Sequence, residues 1–101
     1  MSNITRELLF EDKWTDGVSK NNHEATWKIT NCKSSYTVRI LLRGYHEDGR
    51  GSKATLAVLE PETFKWKTFL VLEETCAAGE SGDVHKKLLR RFEQLAFPEQ
   101  A

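Results

Sequence analysis

The chain has 101 residues, 15 Lys plus Arg against 15 Asp plus Glu, and 39% hydrophobic residues. That length allows a single domain, residues 1–101, with one compact core and little surplus burial. Zero net charge excludes a general electrostatic pull on nucleic acid, and no run approaches the roughly 20 apolar residues of a membrane-spanning helix.

The first residues, MSNITRELLFEDKW, have no basic start and no long apolar stretch, and acids arrive at Glu7, Glu11 and Asp12. They do not read as a secretory leader, and a cytoplasmic location is the expectation. In that setting Cys32 and Cys76 read as free thiols; a disulfide stays open only if the fold joins them.

A strand is expected over residues 5–11, with Leu8, Leu9, Phe10 and Trp14 needing cover. TDGVSKNNH has the composition of a loop. EATWKIT then alternates, with Ala25, Trp27 and Ile29 on one side and Thr26, Lys28 and Thr30 on the other, as in a half-buried strand. NCKSS is a turn whose short polar side chains can bond nearby backbone. In SYTVRILLRG, Tyr36, Val38, Ile40 and Leu42 share one face, and Thr37, Arg39, Leu41 and Arg43 the other. The pair makes an antiparallel hairpin.

GYHEDGRGS reads as a glycine-rich excursion, without the sequence of a phosphate-binding loop. KATLAVLE is a further strand, with Ala54, Leu56 and Val58 opposite Thr55, Ala57 and Leu59. A type I turn at Glu60–Thr63 fits the fixed φ of Pro61. FKWKTFLVLEE returns as its partner. It begins by alternating apolar and charged residues and then becomes apolar throughout at Phe69–Leu72, so its second face is not purely a wet one. Strand periodicity places Phe64, Trp66, Leu70 and Leu72 together and leaves Lys65, Lys67, Phe69 and Val71 on the other side.

Residues 83–96 read as a helix, with Val84, Leu88, Phe92 and Leu95 as an apolar stripe widened by Leu89 and Ala96. Ser81 or Asp83 can cap its start, and Pro98 opposes continuation. The expected fold is therefore α+β: a small, mostly antiparallel sheet of four or five strands with a C-terminal amphipathic helix on one face. A partly closed barrel plugged by the helix is the alternative.

Two surfaces are candidates for binding. One is the sheet face opposite the helix, where Arg39, Leu41, Arg43, Lys65, Lys67, Phe69 and Val71 mix basic and apolar character. Either the N-terminal segment packs over this face, or it is a contact surface. The other is the basic arc of the helix, Lys86, Lys87, Arg90 and Arg91, interrupted by Glu93 and Gln94. The expected function is a small non-enzymatic protein-binding domain of the inhibitor, adaptor or regulator type. Its partner is another protein or a second copy of itself. A nucleic-acid binder that uses the basic sheet face, stacking bases there, or the basic arc of the helix is the alternative.

Enzyme chemistry has thin support. The histidines, His23, His46 and His85, lack the close spacing of zinc ligands, and no nucleophile motif is present. His85 falls within the helix's apolar arc, where burial favours a neutral ring. A Cys/His site would need Cys76, His85 or His46 to meet. No cofactor, metal or membrane partner is called for.

Overall fold

The structure, a computed structural model, describes residues 4–16, 20–32, 34–45, 52–74 and 81–97. Five strands, β1 (Thr5–Asp16), β2 (Lys20–Thr30), β3 (Ser35–Tyr45), β4 (Ser52–Leu59) and β5 (Trp66–Glu74), precede one helix, α1 (Ser81–Ala96). The strands form one antiparallel sheet in the order β1-β2-β3-β4-β5, so every neighbour in space is a neighbour in sequence. β1 and β5 remain as two separate edges, and the alternative of a closed barrel is not what forms.

The alternation read from the central strands is the alternation observed. Ala25, Ile29, Val38, Ile40, Leu42, Ala54 and Leu56 are all buried, on the face that receives the helix. Val84, Leu88, Leu89 and Phe92 of α1 close this core, with Tyr36 and Phe97 both edge-on to Phe92. Leu95, expected in the stripe, is half exposed; Phe97, just beyond the last turn, fills the core in its stead. A helix is about 10 Å across and five strands span about 20 Å, so α1 covers only the middle of the sheet. A groove is left along each flank. The molecule measures 44 × 31 × 19 Å, the thinnest dimension matching two layers and no third.

Local chemistry explains most turns. At Asn31–Ser34 the Asn31 side chain accepts from the Ser34 amide at 2.6 Å, as a short polar turn residue does. The β4–β5 connection is longer than the expected four-residue turn. The Phe64 amide donates to the Glu60 carbonyl at 2.8 Å, and the Glu60 amide donates to the Lys65 carbonyl at 2.9 Å. Closing this loop holds Phe64 at φ 54° with its ring 78% exposed, so Phe64 stands on neither strand face.

Other departures have physical causes. The stretch read as a loop around residues 15–23 is mostly strand, because Asp16 pairs with Lys20 and the ladder continues through Asn22 and His23. Hydropathy misses this: Asn22 and His23 are polar, yet only 2% exposed. Likewise β3 runs on to Tyr45, into the expected excursion. β1 continues to Asp16 as an edge strand and does not fold over the second face; Leu8, Leu9 and Phe10 stay about half exposed. The expectations for His46, Cys76 and Pro98 lie outside the described residues.

Candidate functional site

The second sheet face, opposite α1, lies open. Its membership is decided by two bulges. In β1 the register shifts between Leu8 and Phe10, which leaves Leu8 beside Trp27 on the helix side and puts Phe10 beside Thr26 on the open side. In β5 Leu70 pairs with Leu56 but Thr68 already pairs with Ala57, so Phe69 is the extra residue. A bulge reverses the side-chain alternation of everything beyond it.

The consequences run along the first half of β5. Trp66 pairs with Leu59 and faces the open side, where the Arg39 guanidinium lies 4.6 Å from its ring centre. Phe69 turns to the helix side and meets Phe92 edge-on at 5.6 Å. Lys67 pairs with Val58, on the helix side, and Lys65 precedes the strand within the turn. The expected open-face set therefore keeps Arg39, Leu41, Arg43 and Val71, loses Lys65, Lys67 and Phe69, and gains Trp66. Strand periodicity alone misassigns these residues, since nothing in FKWKTFLVL marks where a bulge falls.

Register puts the open face in rows across the strands. Asp12, Glu24, Leu41, Thr55 and Val71 form one row; Phe10, Thr26, Arg39, Ala57 and Thr68 form the next. Arg43 and Lys53 are paired above them, and Leu59 and Trp66 below. Acids thus gather toward β1 and β2 and most cations toward β3–β4, with Lys28 of β2 paired with Glu7 of β1 at one end. Ala57 is 7% exposed although it lies outside the helix-side core, so its open-face neighbours shelter it.

The helix flanks carry the remaining chemistry. Beside β5, a cavity of about 830 Å³ is lined by Leu70, Leu72 and Leu88 and rimmed by Lys86, Lys87, Arg90 and Arg91. The basic arc is thus real for these four, but Glu93 does not interrupt it. Glu93 is turned inward, 7% exposed, and takes a bidentate pair of hydrogen bonds from Arg6 of β1 at 2.5 and 2.6 Å. This contact raises the Arg6 guanidinium still further above its ordinary value, chiefly through the hydrogen bond.

On the β1–β2 flank, His23 and His85 stack with ring centres 3.9 Å apart, both nearly inaccessible. His85 Nε2 donates to the His23 carbonyl at 3.0 Å. His23 Nε2 lies 2.8 Å from a Glu11 carboxylate oxygen, and a carboxylate only accepts, so this nitrogen donates. In a neutral ring Nδ1 then accepts from the Ser81 hydroxyl at 3.1 Å. Burial, followed by the His23 ring, pushes His85 down from 6.5 to about 4. The neutral ring expected from the helical wheel is what burial enforces. The hydrogen bond from His23 holds the Glu11 carboxyl below its ordinary range.

Ser81, His23 and Glu11 are wired in the order nucleophile, base, orienting carboxylate. Ser81 is only 4% exposed, however, and does not line the adjoining cavity of about 550 Å³, which is formed in part by Arg6, Trp27, His85 and Arg90. No carbonyl carbon could approach its oxygen in this arrangement. Sequence spacing could not have found the cluster, since its members come from β1, β2 and α1 and are 12 and 58 residues apart. Cys32 is exposed and free, and no group of metal-binding side chains forms among the described residues. No described helix is long and apolar enough to cross a membrane. Comparison of the chain with family models, curated proteins and solved structures returns no match.

Proposed function

We propose that this is a non-enzymatic protein-binding domain whose open sheet face docks a second copy of the chain. The observation that carries the reading is Trp66, turned by the β5 bulge onto the open face and stacked against Arg39. Tryptophan and arginine are the side chains most often found to dominate binding energy at protein interfaces. Leu41, Leu59 and Val71 add apolar surface to the same face, and no described element lies over them.

Charge and area favour a copy of the same chain as the occupant. A two-fold axis along β3 sets β1 of each copy against β5 of the other, which brings Trp66 into the interface, and sets β2 with Glu24 against β4. Lys53 lies on β4 one row away, within reach of that acid. Two such faces of five strands bury about 1,400 Å² together, inside the range of specific interfaces. Zero net charge sets up no long-range repulsion between copies.

The nucleic-acid reading gains from the same bulge, because an aromatic ring now lies beside Arg39 on the face that also carries Arg43 and Lys53. It is the weaker reading: Arg39 occupies one face of that ring, and Asp12 and Glu24 share the surface with the cations. Sedimentation equilibrium of the purified protein tests the proposal. The expected result is a monomer–dimer equilibrium that Trp66→Glu shifts at least tenfold toward monomer and Lys86→Glu leaves in place. A wild-type chain that stays monomeric at every accessible concentration overturns it. So does salt-sensitive binding of single-stranded DNA that is lost in Arg39→Glu/Arg43→Glu, if no dimer is seen.

A further inference from the structure

The two edges of the sheet are not equivalent. β1 carries charges at Arg6, Glu7, Glu11, Asp12 and Lys13 and is bulged at Leu9, the devices that keep an edge from pairing with another chain. Between Lys67 and Glu73, by contrast, β5 reads Thr68-Phe69-Leu70-Val71-Leu72 without a charge. From Leu70 onward it is in unbroken register with β4 on its inner side. Its outer side has no partner strand among the described residues. Val71 is 53% exposed.

Beside this unprotected edge runs the groove between β5 and α1. Its floor is Leu70, Leu72 and Leu88, and its rim is basic, with Asp83 as the one acid among the lining residues. Lys86, Arg90 and Arg91 are exposed and form no ion pair among the described residues. Apolar floor, cationic rim and open backbone occur side by side.

We propose that the Leu70–Glu74 edge of β5 accepts an extended acidic segment of another protein as a sixth strand, held in the groove by the basic face of α1. Strand addition takes its affinity from main-chain hydrogen bonds and its specificity from alternate side chains. Positions on the groove side of the incoming strand are acidic. Their methylenes lie over Leu70, Leu72 and Leu88, and their carboxylates reach Arg90, Arg91 and the neighbouring lysines. Positions on the other side are β-branched and extend the open face beside Val71. The partner is therefore a strand of alternating valine-like and glutamate-like residues, about five to seven long. The groove side of this strand is separate from the dimer face and its other side adjoins that face at Val71, so the test uses a chain that does not dimerise, and either assignment can fail alone.

A fluorescein-labelled heptapeptide alternating Val and Glu is the probe, titrated by anisotropy against the full chain carrying Trp66→Glu, so that dimerisation does not intervene. Saturable binding is expected. It should weaken at least tenfold for the analogue with Lys in place of Glu, for a peptide N-methylated at alternate amides, and for Arg90→Glu/Arg91→Glu. Hydrogen exchange should slow at residues 70–74 on binding and stay unchanged in β1. Thermal unfolding of the double variant separates lost binding from lost folding. The proposal is overturned if the peptide does not bind, if the Lys analogue binds equally well, or if protection appears at β1 or nowhere.

Discussion

His85 shows how one residue's surroundings become a property of the whole domain. Its ring is 4% exposed, stacked on His23, and hydrogen-bonded through Nε2 to the His23 carbonyl. Ser81, Glu11 and Lys13 complete the polar surroundings of the pair. Burial and His23 hold His85 at about 4 in the folded chain, whereas an unfolded histidine titrates at 6.5. The unfolded chain therefore takes up the proton first. Stability is unaffected by His85 above pH 6.5, falls as pH drops from there to about 4, and loses nothing further below. The full loss is about 3 kcal/mol. Glu11 adds a loss of the same sign at lower pH, since its carboxyl is depressed in the folded state. Urea titrations at stepped pH check this: His85→Leu should flatten the decline between pH 6.5 and 4. Phe64 offers a second test. An exposed aromatic held at φ 54° is in a region that L-residues adopt at a cost. Phe64→Asn should raise stability by about 0.5–1 kcal/mol in chemical denaturation, because Asn tolerates that conformation. A fall in stability would show that the ring makes contacts the loop depends on.

At the scale of elements, the sheet is built from hairpins, and among the described residues α1 is the element that bridges its far parts. Arg6 and Glu93 tie the β1 edge to the helix across 87 residues of sequence. The Arg6 side chain is 48% exposed, but that of Glu93 is only 8% exposed, so the two losses are not symmetrical. Arg6→Ala strands a buried carboxylate and should cost about 2 kcal/mol. Glu93→Leu leaves only an exposed cation, and the Arg6→Ala/Glu93→Leu double variant should recover most of the Arg6→Ala loss. Equilibrium denaturation of all three reads the cycle; additive losses would mean that the pair is not coupled. The β5 bulge acts at this same scale. By adding Phe69 to one strand it anchors β5 on Phe92 and delivers Trp66 to the opposite face.

For the whole molecule, the imbalance between the two sheet faces is what most needs explaining. The helix covers one face incompletely and nothing described covers the other, where Phe10 and Val71 stay about half exposed. A radius of gyration of 14.1 Å, against about 12.7 Å for a typical chain of this length, reflects that flat build. If the open face pairs with itself, folding and association are linked. The melting temperature should then rise by a few degrees for each tenfold increase in protein concentration in the wild type, and not in Trp66→Glu. A concentration-independent melting temperature in both would count against the dimer.

Much of this architecture is legible in the sequence. Alternation in EATWKIT, SYTVRILLRG and KATLAVLE determines which residues point to the core, because a strand's side chains repeat every two residues whatever its neighbours. The 3.6-residue stripe from Val84 to Phe92 likewise determines that a helix must bury one side. Tertiary structure alone decided the rest. Whether the alternation of β5 continues or reverses depends on a bulge set by the register against β4, and the buried state of His23 and Glu93 depends on partners far along the chain. Only when Glu11, Ser81 and Arg6 arrive can those polar groups leave water without losing their hydrogen bonds, and no local pattern records that they will.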